Sequence, residues 1–133
     1  MVNFYLELNQ SISIMPNFFR ITYVQNLGAA FSILNGGRFL FIIMAIIVLN
    51  LIFIFYIKDK DLSKFEIIIF SLLISGIVGN LIDRILYGYV IDFIDFNSFS
   101  YNFAIFNLAD SFIVISVILL VIKSLGDKKC KNI

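Results

Sequence analysis

Three runs of this chain stay apolar for long enough to cross a bilayer, and the polar positions gather between those runs and at their ends. "FLFIIMAIIVLNLIFIFYI" (39 to 57) has Asn50 as its only strongly polar residue, and "FEIIIFSLLISGIVGNLI" (65 to 82) leads into polar groups. "FNLADSFIVISVILLVI" (106 to 122) begins with polar groups and continues apolar to about Leu125. A bilayer core takes roughly 20 apolar residues as a helix, and a lone apolar segment in lipid satisfies its backbone only by being helical. The pattern predicts transmembrane helices over 39–57, 65–82 and 106–125. "KDKDLSK" (58 to 64) is short enough to join the first two as a tight antiparallel pair.

Before the first span the period changes. In "NFFRITYVQ", Phe19, Ile21 and Tyr23 alternate with Arg20 and Thr22, the spacing of a half-buried strand. Asn17 with Pro16 on one side and "NGG" (35 to 37) on the other are turn punctuation. Residues 1 to 38 are expected to form a small sheet or platform, and the first helix to start near Arg38. "LYGYVIDF", after the second span, alternates enough to be a strand or extended segment. The fold class expected is a mainly α membrane protein, with three transmembrane helices and a small extracytoplasmic β-sheet platform in one integral-membrane domain over 1–133.

Composition supports a membrane protein: 61% of the 133 residues are hydrophobic and 14% are charged, against about 45–50% and about 25% in a soluble domain. The net charge of +1 gives no general attraction to nucleic acid. Lysine placement gives the orientation instead. Lys58, Lys60 and Lys64 lie in the first connection, and Lys123, Lys128, Lys129 and Lys131 lie at the C-terminal end, so both belong on the cytoplasmic side. That puts 83 to 105 outside, and 1 to 38 with them. The chain has no histidine and one cysteine, which excludes Ser-His-Asp triads, Cys-His pairs and most zinc sites. Cys130, in the lysine-rich tail, reads as a solvated thiol.

The polar residues at the span ends are the candidates for function, because burying such groups in hydrocarbon is costly. Asn80, Asp83 and Arg84 are spaced i, i+3 and i+4 at the outer end of the second span, and Asn107 and Asp110 are i, i+3 at the outer end of the third. Asp92 lies between, where the extended segment could fold back toward Asp110. Two carboxylates converging in a low-dielectric site titrate as a unit, one keeping its proton. The ionised partner can take a proton from attacking water, while the other hydrogen-bonds the substrate carbonyl and later protonates the leaving nitrogen. Amide hydrolysis suits this equipment.

"QNLGAAFSIL" (25 to 34), "GNLIDRILYGYVIDF" (79 to 93) and "FNLADS" (106 to 111) resemble, in order and spacing, blocks of lipoprotein signal peptidase, or signal peptidase II. The resemblance implies an intramembrane aspartic endopeptidase of the bacterial inner membrane. Such enzymes have four helices and an extracytoplasmic sheet, and they cut diacylglyceryl-modified prolipoproteins just before the lipidated cysteine. It implies Asp92 and Asp110 as the catalytic dyad, with Asn26, Asn80, Asp83, Arg84, Asn107 and Ala109 at other family positions. Asn26 and Arg84 would contact substrate, Asn80 and Asn107 would orient the dyad or the peptide, and Asp83 would hold the site together. No metal or cofactor is implied. The expected partners are the lipid-modified prolipoprotein and membrane lipid, with no nucleic acid, and the expected state is a monomer.

Each assignment has a plainer competitor. Asp92 could be a solvated loop aspartate, Asp110 a first-turn residue favoured by the helix dipole, Asp83 with Arg84 an interfacial charge pair, and Asn26-Leu-Gly only a turn. Asp95 reads as a loop carboxylate in water, and Asn50 as an interhelical hydrogen-bonding group. Gly88 and "NSFSYN" (97 to 102) suggest a mobile outer loop that closes over substrate. Family members carry a further transmembrane helix before the sheet, with an Asp and a Lys, and nothing in "MVNFYLELNQSISIMP" matches it. The expectation is a chain truncated at its start, inserting poorly, with its fourth wall absent or supplied by another chain. The alternative function is accordingly an inactive membrane fragment that keeps substrate-binding residues. A proton-coupled transporter fits less well, because the carboxylates gather at one surface instead of along a path. A Ser-Lys peptidase would need a lysine on the outer side.

Overall fold

A computed structural model describes residues 2–28, 37–58, 61–98 and 101–131, and the side chains of 98, 101, 102 and 127–131 are not among those described. The expected turn at 35 and 36, the middle of the expected mobile loop and the Cys130 thiol lie outside the described residues.

Among the described residues three helices are long and apolar enough to cross a membrane. Helix α1 spans Arg38–Ile52 and continues as a π-helical turn over Phe53–Ile57. Helix α2 spans Lys64–Leu86 and α3 spans Leu108–Lys131. The start of α2 is set locally: Ser63 accepts from the Glu66 backbone while Glu66 accepts from the Ser63 backbone, a reciprocal capping box. Glu66 also reaches Lys123 of α3 at 3.3 Å. At its other end α2 runs four residues beyond the expected Ile82 to Leu86, because Gly88, at φ 87°, is what stops it. Asp83 and Arg84 are helical residues at the outer end of this span, where the sequence reading puts them.

Helix α2 is the central element, packed on both α1 and α3. Its approach to α3 depends on glycine: a Cβ on Gly76 would lie 2.5 Å from the Ala109 carbonyl oxygen and 2.7 Å from Ile113 Cγ1. Small residues permit this closeness in lipid, where packing replaces the hydrophobic drive between helices. Ile69, Phe70 and Gly76 of α2, Ser116 of α3 and Ile52 of α1 are buried in the seams. Asn50 is corrected here. It donates to the Ile46 carbonyl of its own helix at 2.8 Å, because four residues along a helix supply an acceptor that no neighbouring helix has to provide.

The platform is an antiparallel sheet in the order β1 (Ser11–Met15), β2 (Phe19–Asn26), β3 (Val90–Ser98) and the two-residue β4 (Tyr101–Asn102). The strand expected in "FRITYVQ" is β2, and the turn at Pro16 and Asn17 joins it to β1, with Asn17 at φ 57°. The third strand comes from the connection between α2 and α3, so the sheet ties the N-terminal region to the helices. Phe18, Phe19, Phe96 and Phe106 form a run of aromatic contacts along it, with ring centroids 5.1 to 6.1 Å apart. Pairing of β2 with β3 shifts register between Ile21 and Val24. Asp95 is also corrected: it is 4% exposed and ion-paired to Arg20 at 2.9 Å, not bathed in water. Pairing Arg20 with Asp95 in the ladder delivers a cation from 75 positions away, which local sequence does not reveal.

Candidate active site

The N-terminal edge of α3 is built by the residues the sequence marks. Asn107 Oδ1 accepts from the Asp110 backbone N–H at 3.0 Å, and Asp110 Oδ2 accepts from the Asn107 backbone N–H at 3.2 Å. This reciprocal cap satisfies two backbone donors that a helix start otherwise leaves open. It also fixes the Asp110 side chain. The other Asp110 oxygen accepts from Asn80 Nδ2 at 2.7 Å, across the gap between α2 and α3.

Asp92, on β3, is 2% exposed, and the solvated-loop reading of it fails. Asn26 Nδ2 donates to its Oδ2 and Asn107 Nδ2 donates to its Oδ1, each at 2.8 Å. Asn107 Nδ2 also donates to Asn80 Oδ1 at 3.1 Å, so its two amide protons have separate acceptors. The two carboxylates are thus joined through the amides of Asn80 and Asn107. Burial pushes the Asp92 carboxyl up from 3.8 to about 6, opposed by the hydrogen bonds from Asn26 and Asn107. The charge of Asp110 adds to the rise and that of Arg84 subtracts from it.

Arg84 does not pair with Asp83 as a simple interfacial couple. Its Nη2 donates to the Gly28 carbonyl at 3.0 Å and its Nη1 to the Asn80 carbonyl at 3.2 Å, while its guanidinium lies 4.9 Å from the Phe41 ring centre. Gly28 in turn donates its N–H to Asn26 Oδ1 at 3.0 Å, so the Asn26 turn and the Asn26 contact with Asp92 exist together. Asp83 accepts the Ile91 N–H at 3.0 Å and thereby ties α2 to β3 beside Asp92.

A cavity of about 540 Å³ opens on this network. Asn26, Asn80, Arg84, Asp92 and Asp110 supply its polar wall, and Val90, Phe106, Ile113 and Val114 are among its apolar lining. A smaller cavity of about 310 Å³ lies against Asp83, Asn107 and Ala109 and shares Asn80 with the first. Of the residues singled out in the sequence, five line the larger cavity, and Asn107, Asp83 and Ala109 support it from the other. Among the described residues no cluster of three or more metal-ligating side chains forms, and the polar wall of the larger cavity is two carboxylates, two amides and a guanidinium.

Sequence reading missed Gly28, Phe41 and Gly76. Gly76 and Gly79 had a signal, a small-residue pair one turn apart in an apolar run. Phe41 had none, being one phenylalanine among 16.

A family model described as signal peptidase (SPase) II matches residues 1–126. The lipoprotein signal peptidases of Staphylococcus aureus strains JH9 and Newman are each 45% identical over 127 residues, covering 96% of this chain and 78% of the relative. Two solved structures described as bacterial membrane enzymes are also similar. One, at 2.3 Å resolution, has a TM-score of 0.90 and 43% identity over 98% of this chain and 79% of its own. The other, at 1.9 Å, has a TM-score of 0.84 and 44% identity over 95% of this chain and 81% of its own.

Proposed function

The chain belongs to the signal peptidase II family of bacterial membrane proteases, and from that premise we propose that it is an intramembrane aspartic endopeptidase with Asp92 and Asp110 as its reacting pair. Its substrate is a diacylglyceryl-modified prolipoprotein, cut before the lipidated cysteine. The observation that carries this reading is that both carboxylates line one cavity, Asp92 and Asp110 being held to a common scaffold by Asn107 and Asn80.

Asp110 takes a proton from water as the water oxygen bonds to the scissile carbonyl carbon. Protonated Asp92 hydrogen-bonds the carbonyl oxygen, where negative charge develops. When the carbon–nitrogen bond breaks, Asp92 gives its proton to the leaving nitrogen. One proton then remains on the pair, now on Asp110, and its return resets the site. A value near 6 leaves a share of Asp92 protonated at neutral pH, as a general acid requires. Arg84 and Asn26 stand at the cavity wall where a peptide backbone could meet them, and the apolar lining suits a lipid-bearing substrate. The lysine distribution supports an orientation with this end of the bundle on the outer side of the membrane and the C-terminus in the cytoplasm.

The test is cleavage of a lipidated prolipoprotein by the reconstituted chain, beside Asp92→Asn and Asp110→Asn. Loss of cleavage in both variants supports the reading, and turnover that survives in either one overturns it.

A further inference from the structure

Asp95 is a buried carboxylate that the reaction above does not use. Its Oδ2 accepts from Arg20 Nε at 2.9 Å and from Thr22 Oγ1 at 2.6 Å and is ion-paired with Arg20 Nη2 at 2.9 Å, and Thr22 Oγ1 lies 2.8 Å from Ser11 Oγ. The carboxylate oxygen thus joins β3 to β2, and the Thr22 hydroxyl extends the link to Ser11 of β1. Burying a charge this deeply is costly unless it is paired and hydrogen-bonded. Its position relative to Asp92 gives the pairing a task.

Between Ile21 and Val24 the β2–β3 ladder slips by a residue. Arg20 pairs with Asp95 on one side of the slip, while Val24 pairs with Asp92 and Asn26 with Val90 on the other. An irregular ladder is where register is least secured by its own hydrogen bonds, and a slip of one residue redirects every side chain beyond it. Asn26 reaches Asp92 only in the observed register. Two side-chain links therefore bracket the irregularity, Arg20 to Asp95 on the far side and Asn26 to Asp92 on the near side, while Thr22, within it, also donates to Asp95.

We infer that Asp95 is a positioning residue for the reaction: held by Arg20 and Thr22, it fixes the register of β2 against β3 and so keeps Asn26 on Asp92. The inference rests on Asp92 being one of the reacting carboxylates, yet the geometry it concerns can be read without turnover.

The experiment follows the Asp92 carboxyl by carbon-13 NMR in the full chain in lipid nanodiscs, with Asp92→Asn used to assign the signal. Asp110 and Arg84, the charged groups acting on Asp92, are unchanged in every variant. Asn26→Ala removes a hydrogen bond to the carboxylate and is expected to raise the midpoint by about one pH unit. Asp95→Ala should raise it in the same direction, and the double variant should go no further than Asn26→Ala alone. Asp95→Asn keeps the side-chain shape and serves if the alanine variant does not fold. A midpoint unmoved by both Asp95 variants, or a double shift equal to the sum of the single shifts, overturns the inference. A wild-type chain that cleaves no lipidated substrate would overturn the protease reading instead, and the titration would still decide whether Asp95 positions Asn26.

Discussion

Asn107 Nδ2 lies 2.8 Å from Asp92 Oδ1, so a side chain at the start of α3 holds a carboxylate that belongs to β3. Asn107→Ala should lower kcat on the order of 100-fold by freeing Asp92 to move, and lower stability by about 1 kcal/mol through the lost cap. Asn107→Ser separates the two effects. Its hydroxyl can still cap α3 but is too short to reach Asp92, so thermal unfolding should stay closer to wild type than in Asn107→Ala while cleavage falls as far.

The raised value of Asp92 makes stability depend on pH with a definite sign. Because its carboxyl sits at about 6 when folded and at 3.8 ordinarily, the folded chain binds more protons than the unfolded one between those values. Stability from this group is complete below about 4 and is lost as pH rises through about 6. Asp92→Asn cannot titrate. Thermal unfolding in detergent should show wild type losing ground against Asp92→Asn from pH 4 to 7, and a gap that stays constant with pH would contradict this.

At Gly76 helix α2 comes too close to α3 to admit a side chain. Gly76→Ala places a methyl group against the Ala109 carbonyl and Ile113, and should cost about 1–3 kcal/mol. Since Ala109 precedes Asp110, activity should fall with stability. Gly126→Ala, where an added Cβ meets nothing within 4 Å, is the control and should lower neither.

Arg84→Lys keeps the charge but not the fork that joins Gly28 to Asn80 while lying by Phe41. Lysine cannot reproduce that planar arrangement. Cleavage should drop about tenfold or more, measured as kcat/KM on a lipidated peptide, and a wild-type value would show that charge alone suffices at this position.

What was legible in the sequence was local. The i, i+3 relation of Asn107 and Asp110 became a helix cap, and the alternation in "FRITYVQ" became β2, because each depends on neighbours a few residues away. Asp92 was identified through its surrounding block of residues, since nothing in "YVIDF" itself distinguishes a buried aspartate from a wet one. Asp95 shows the converse. Its partner Arg20 is reached only through the pairing of two strands from opposite ends of the chain, and its local surroundings suggested water. Asn50 failed for a simpler reason, as an amide in an apolar helix finds the carbonyl one turn back before it finds a neighbouring helix.

The reciprocal cap between Asn107 and Asp110 means that a proposed reactive group doubles as the punctuation of a helix. A chain that began α3 one residue early or late would place a different side chain at the cavity, so faulty initiation and loss of the reagent are one failure. Attempts to stabilise this protein by rewriting helix starts have free choice at Ser63 and almost none at Asn107, where a different start signal would release the carboxyl proposed to react.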